Sequence, residues 1–286
     1  REISWDDLNR FETNISKEKF MEIVEKAKFY VKEGDIFQVN LSQRFGAEIG
    51  KDESIELYRI LRAINPSPFA SLVHLNDFKL ISQSPERLVR LKDGIADTRP
   101  IAGTRRLVKG NEVKNEELAM ELKNDPKECA EHVMLVDLER NDIGKIAEFG
   151  TVEVDEFMVI ERYSHVMHLV SNVKGVLRKD LDAFDLLKAM FPGGTITGAP
   201  KIRSMEIIEE LEPTRRGFYT GSLGFVGYNG DMDFNIIIRS FIEKNNKVYF
   251  QVGAGIVYDS IPEREYKETI NKARAMVLAY ENLKSN

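Results

Sequence analysis

The sequence predicts an α+β fold with large antiparallel sheets and helices packed outside them. Three observations carry this. Runs that alternate apolar and polar residues are bounded by turn signals at Asp93-Gly94, Asn229-Gly230 and Asn245-Asn246. Such hairpins outnumber strand–helix–strand units, which disfavours a parallel sheet. Segments with apolar residues three and four apart stand between the strand runs.

The elements follow in order. Ser16 caps a helix over about 17–32, in which Phe20, Ile23, Val24, Ala27, Tyr30 and Val31 fall at helical spacing and Gly34 supplies the stop. Next, IFQVNLSQRF sets Phe37, Val39 and Leu41 against Gln38, Asn40 and Ser42, a strand with one apolar and one polar face. A helix near 55–64 ends at Asn65-Pro66. Short strands are expected at 70–75, 79–82 and 87–91. Asp125 caps a helix running to about 140, with Pro126 in its first turn and Glu128 where a capping box places its acid. Strands at 152–160 and 166–177 precede helices at 183–190 and 202–211. The last third reads as a meander, 218–228, 232–242 and 248–257, closed by a helix over 263–282.

Composition bounds the function. The 286 residues are 42% hydrophobic and 31% charged, a globular composition that we read as one catalytic domain over residues 1–286. A net charge of −6 with no long Lys/Arg run speaks against a nucleic-acid partner. No apolar run approaches the roughly 20 residues of a membrane span, and no signal-peptide pattern is present, so no membrane partner is expected. Cys129 is the sole cysteine, which excludes an internal disulfide and fits a reducing cytoplasm. The first residue is Arg1, not Met, as in a piece of a longer protein.

The most informative stretch is FPGGTITGAPK at 191–201. Its glycines could bring backbone N–H groups to a small anion at the start of the next helix. A helix-entry loop ending in Pro explains it equally well. A Walker A loop is excluded, because Ala199 and Pro200 follow Gly198 where Lys-Ser/Thr is required.

Several polar residues sit in apolar surroundings. His168 shares a strand face with Val166 and Val170; such a His is ordinarily a satisfied core residue. Arg239 ends the apolar run DFNIIIRS, and a buried guanidinium needs an anion from the protein or a ligand. Gly253 and Gly255 interrupt a strand, as a bulge or a close backbone approach would require. Glu128 with Glu131, and Glu265 with Glu268, are each three apart on a helix. They are two solvated faces or a hard-oxygen site for Mg²⁺.

Taken in order, GDIFQVNLSQRF, SPERL, TRPIAGTRR, KECAEHVMLVDLERND, RYSHVMHLVS, FPGGTITGAPKIRSMEIIEELEPTRRG, DFNIIIRS, GAGIV and EREYKETINKA make the whole chain resemble the chorismate-utilising enzymes. That family includes component I of anthranilate synthase and of aminodeoxychorismate synthase, and the isochorismate and salicylate synthases. The resemblance implies the same α+β fold without its N-terminal portion. That portion completes a β-sandwich and, in anthranilate synthases, holds the tryptophan feedback site. It also implies chorismate as substrate and Mg²⁺ as cofactor. An enzyme for chorismate must hold two carboxylates and help a hydroxyl leave. By the resemblance, Glu131 and Glu268 ligate Mg²⁺ at the ring carboxylate, with Glu128 and Glu265 as water-mediated partners. Arg239 and Tyr219, with the backbone of Gly253 and Gly255, correspond to the clamp on the enolpyruvyl carboxylate. Thr104, Thr195 and Lys272 face the same pocket. Glu86 of SPERL corresponds to the general acid at the ring hydroxyl, and His168 to the catalytic histidine beside it.

Gln38 stands where the water-using members carry a lysine base, so the resemblance implies ammonia as nucleophile. QVNLSQ with Asn40, PGGTITGAPK, YTGSLG and DFNI favour aminodeoxychorismate synthase; GAGIV and Ala102 favour anthranilate synthase. One aminodeoxychorismate synthase subclass attacks the ring with a lysine at position 102; PIAGT here excludes that covalent route. Ammonia is expected from a glutamine amidotransferase subunit. A chorismate-binding fragment without activity is the reading of another class. The presence of Glu86, Glu131, His168, Arg239 and Glu268 together argues against it.

Overall fold

A computed structural model describes residues 8–163 and 166–285. Ser164 and His165 of the RYSHVMHLVS motif lie outside the described residues. In chain order the strands are β1 (Glu12–Thr13), β2 (Gln38–Glu48), β3 (Phe69–Leu75), β4 (Phe78–Ser84), β5 (Arg87–Lys92), β6 (Ile95–Thr98), β7 (Ile101–Arg106), β8 (Glu153–Arg162), β9 (Val166–Val176), β10 (Gly198–Ala199), β11 (Gly224–Val226), β12 (Met232–Asn235), β13 (Ser240–Lys244) and β14 (Lys247–Ile256). The helices are α1 (Lys17–Lys32), α2 (Ser54–Ile64), α3 (Glu112–Asn124), α4 (Pro126–Gly144), α5 (Ala183–Met190), α6 (Lys201–Leu211) and α7 (Pro262–Ser285). They fall into two units. The first takes the chain up to Glu86, Ile196–Leu223 and Asn235 onward; the second takes Arg87–Thr195 and Gly224–Phe234.

In the first unit an antiparallel sheet runs β1–β2–β14–β13–β4–β3, with β10 also on β2. Alternation decides its faces. Val39, Leu41 and Phe45 of β2 and Val248, Phe250 and Val252 of β14 join a core with Phe20, Ile23, Val24 and Ala27 of α1, Leu57 and Leu61 of α2, and Ile270, Ala273 and Val277 of α7. Burying each of these side chains larger than alanine contributes about 1.5–3 kcal/mol. Phe45 stacks on Phe250 at 5.1 Å, and Phe241 meets Phe250 edge-on at 5.4 Å. The other face carries Asn40, Ser42, Arg44, Tyr249, Gln251, Gly253 and Gly255. Phe37 does not join the apolar face as expected. It precedes β2, donates its N–H to Ala199 O at 2.7 Å and stays 70% exposed.

In the second unit the sheet runs β11–β12–β5–β6–β9–β7, with β8 on the other edge of β9. β6 and β7 lie end to end against β9, parted by Arg99-Pro100. The β7–β9 register shifts between Ala102 and Thr104, where Gly103 takes φ +63. A Cβ on Gly103 would come within 2.6 Å of Leu122 Cδ1, so only glycine fits this bulge. Met167 and Leu169 pack on Ala119 and Leu122 of α3.

Three differences from the sequence expectations have physical causes. α3 was not expected, because one of its three buried residues is Asn115, which masks the apolar period. The Asn115 side chain holds both the N–H and the carbonyl of Val108, at 2.7 and 3.1 Å. Glu128 does not close a capping box: Asp125 alone caps α4, and Glu128 Oε1 accepts from Arg105 Nη1 at 3.3 Å. The predicted meander divides between the sheets, since β12 pairs with β11 and β13 with β14. Residues 236–239 belong to no strand. Their apolar run is buried as irregular chain, with Ile236 N donating to Glu86 O and Ile237 N to Gly221 O.

Candidate active site

The first unit gathers a cationic clamp. Arg239 follows the irregular Ile236–Ile238 run with φ +53, a strained value for a residue other than glycine. Burial pushes its guanidinium pKa down, while Tyr219, Glu86 and Glu268 act to raise it. Among the described residues the Arg239 side chain makes no hydrogen bond or ion pair. A guanidinium placed this way has its donors available for an anion such as a carboxylate. Tyr219 is buried, and burial pushes its hydroxyl pKa up, which keeps the O–H as a donor.

The glycine question on β14 is settled by register. Gly253 faces Ser42 and Gly255 faces Asn40 without a shift, so there is no bulge. A Cβ on Gly253 would instead lie 2.8 Å from Tyr219 Oη and 2.9 Å from both Asn40 Nδ2 and Leu41 O. Glycine is there because the tyrosine approaches the backbone. Lys272 on α7 donates to Gly253 O at 2.9 Å and pairs with Glu268 at 2.7 Å, tying the helix to the strand. Glu265 is buried one turn earlier on α7. Glu86 is held through its main chain: its carbonyl accepts from Ile236 N at 3.0 Å, and its N–H donates to Ser84 Oγ at 3.3 Å.

The second unit carries the histidine. The Gly103 bulge brings Thr104 opposite His168, and His168 Nδ1 lies 3.1 Å from both Thr104 Oγ1 and Gly103 O. A carbonyl only accepts, so the Nδ1 that bonds Gly103 O carries a proton. Arg99 pairs with Glu156 and Glu161 on β8; Glu161 also accepts from Tyr163 Oη at 2.6 Å and stands opposite His168. Glu128 and Glu131 lie on α4, and Thr195 in the 3₁₀ turn Gly194–Ile196.

Within the first unit, then, Glu86, Tyr219, Arg239, Gly253, Glu268 and Lys272 are linked by contact or by field. Within the second, Thr104 and His168 are linked. Each glutamate pair offers hard oxygens suited to Mg²⁺, and one member of each already holds a cation, Arg105 or Lys272. Among the described residues no group of three His, Cys, Asp or Glu side chains is assembled as a metal site.

The 191–201 loop takes its glycines for packing. A Cβ on Gly198 would lie 2.1 Å from Gln38 O, and one on Gly194 would lie 2.3 Å from Leu138 Cδ2. Pro200 is the N-cap residue of α6, as a helix-entry loop requires. Sequence reasoning left Glu212 and Arg216 out of the site. Their charges in EPTRRG were visible, but they sit beyond the end of α6, where helical spacing predicts no pairing.

The sequence profile of the chorismate binding enzymes matches residues 4–278. The chain belongs to this family. It is 52% identical over 281 residues to aminodeoxychorismate synthase component 1 of Bacillus subtilis, covering 98% of this chain and 59% of that protein. It is 51% identical over 275 residues to anthranilate synthase component 1 of Aquifex aeolicus, covering 96% of this chain and 55% of that protein. Its fold matches the crystal structure of anthranilate synthase component I from Streptococcus pneumoniae with a TM-score of 0.86 at 47% identity, over 95% of this chain and 60% of that one. The family member thus spans little more than half the length of these relatives. Among its described residues, no helix is long and apolar enough to cross a membrane.

Proposed function

We propose that this chain is the catalytic region of an aminodeoxychorismate synthase component I. In this reading it replaces the ring hydroxyl of chorismate with ammonia, releasing water and 4-amino-4-deoxychorismate. The ammonia comes from a glutamine amidotransferase partner. The observation that carries the reading is Arg239: a guanidinium without a protein acceptor, beside a buried Tyr219 hydroxyl and a glycine backbone, suits the enolpyruvyl carboxylate. Glu86 is the candidate acid for the leaving hydroxyl, and His168, whose Nδ1 donates to Gly103 O, is the candidate catalytic histidine beside it. Thr104 orients that ring, and Thr195 and Gly255 are further candidates to line the substrate site. Mg²⁺ is the proposed cofactor. Glu131 and Glu268 are its candidate ligands, and Glu128 and Glu265 its candidate partners through water. When bound, it would neutralise the ring carboxylate.

Asn40 supports the aminodeoxychorismate product, because its amide sits beside the Tyr219 hydroxyl over Gly253 as a polar neighbour, which a valine could not be. Anthranilate synthase is the second reading, favoured by Ala102, whose buried methyl leaves no nucleophile at that position. Product analysis separates them. Chorismate, Mg²⁺ and concentrated ammonium are incubated with the protein. A product that keeps the enolpyruvyl group, and gives 4-aminobenzoate only after a lyase is added, is expected. Direct release of pyruvate with 2-aminobenzoate would replace the first reading with the second.

A further inference from the structure

Two arginines of the first unit are treated in opposite ways. Arg239 spends no donor on the protein. Arg216, 12% exposed, spends all five. Its Nε donates to Glu212 Oε2 at 3.0 Å and its Nη2 to Glu212 Oε1 at 2.7 Å. Nη2 also donates to the main-chain carbonyl of Asn40. Nη1 donates to Ile196 O at 2.7 Å and to Thr220 Oγ1 at 3.5 Å.

Glu212, 3% exposed, is fixed in turn from the sheet. Its Oε1 accepts from Ser42 N at 2.7 Å and Ser42 Oγ at 2.8 Å, and Ser42 Oγ accepts from Gln251 Nε2 at 2.9 Å. The Arg216 guanidinium lies 5.4 Å from the centre of the Tyr219 ring. Ile196 O, which Arg216 holds, also accepts from Asn40 Nδ2 at 3.2 Å, and the Asn40 amide and the Tyr219 hydroxyl lie side by side over Gly253. One guanidinium therefore fixes the carbonyl, the amide and the ring that together set where the tyrosine hydroxyl points.

We propose that Arg216, locked by Glu212, is a positioning residue for substrate-carboxylate recognition, acting through Tyr219 and Asn40 without touching the substrate. The proposal rests on the reading that Tyr219, Gly253 and Arg239 hold a carboxylate of chorismate. Its donors leave Arg216 nothing to offer a ligand, and a lysine, with three donors on a single nitrogen, cannot reproduce the fork.

The test measures chorismate Kd by calorimetry, alongside cooperative thermal melting, for R216K, Y219F, the double variant and R239Q. Arg216→Lys is expected to weaken chorismate binding about tenfold in protein that still melts cooperatively. In the Tyr219→Phe background the same substitution is expected to cost less than about threefold, because its route is already cut. Equal losses in both backgrounds, or a lowered melting midpoint with unchanged Kd, would reduce Arg216 to a scaffold residue and overturn the proposal. If R216K does not fold, Glu212→Gln, which keeps a neutral acceptor, carries the same comparison. Arg239→Gln separates the two levels: unchanged affinity there would remove the carboxylate reading and this proposal with it. A loss there with none at Arg216 would remove the proposal alone.

Discussion

Arg239 holds a partly buried charge with no hydrogen-bonded counter-ion among the described residues, and such a charge costs stability that a ligand can recover. Arg239→Gln is therefore expected to act in two directions. The thermal midpoint should rise, and chorismate binding should weaken by about 2–3 kcal/mol, on the order of a hundredfold, as for a lost charged hydrogen bond. Melting and calorimetry on one preparation check both. Gly253→Ala should lose both properties. The added methyl meets Tyr219 Oη and the fixed Leu41 carbonyl, a clash expected to cost about 1–3 kcal/mol. A denaturant titration reads that cost. The arginine was legible in the sequence as a charge ending an apolar run. The reason for the glycine was not, because Tyr219 reaches Gly253 through the fold and no spacing rule connects them. Arg216 was invisible as anything but surface charge for the same cause.

His132 on α4 makes a separable demand. Its Nε2 lies 2.6 Å from Ser171 Oγ, which accepts from Met158 N at 3.0 Å. Burial pushes the His132 pKa down to about 4. The unfolded value is about 6.5. A depressed folded value means the stabilisation is complete above about pH 6.5 and is lost as pH falls toward 4, by on the order of 3 kcal/mol. Urea titrations at intervals between pH 7 and 4 are expected to show this slope, and His132→Asn to flatten it. Among the elements, α1 and α5 were legible to their ends, because Ser16 and Asp182 cap clean apolar periods. The partition of the last hairpins between two sheets was not. Alternation records which face a residue takes but not which sheet supplies the neighbour.

For the molecule as a whole, the α+β class and the antiparallel sheets followed from the hairpin signals, and the family followed from the order of its motifs. The identity of the product did not. Relatives of both kinds are about equally similar to this chain. The nitrogen source is testable at this scale. With chorismate and glutamine alone no aminated product is expected, whereas ammonium salts should support turnover; a mass-spectrometric product assay compares the two. Glutamine should become effective only when a glutamine amidotransferase is supplied.

The threading of the first unit has a consequence for how the protein is made. β2 leaves the ribosome well before its longest partner, β14, which joins Val39 to Ile256. At 5–20 residues per second, the exposed edge of β2 waits on the order of ten to forty seconds for that partner. Meanwhile Arg87–Thr195, most of the second unit, has already emerged. A nascent chain stalled before Lys247 thus offers a long, half-apolar strand edge to its neighbours, and chaperone capture during translation should concentrate in that interval.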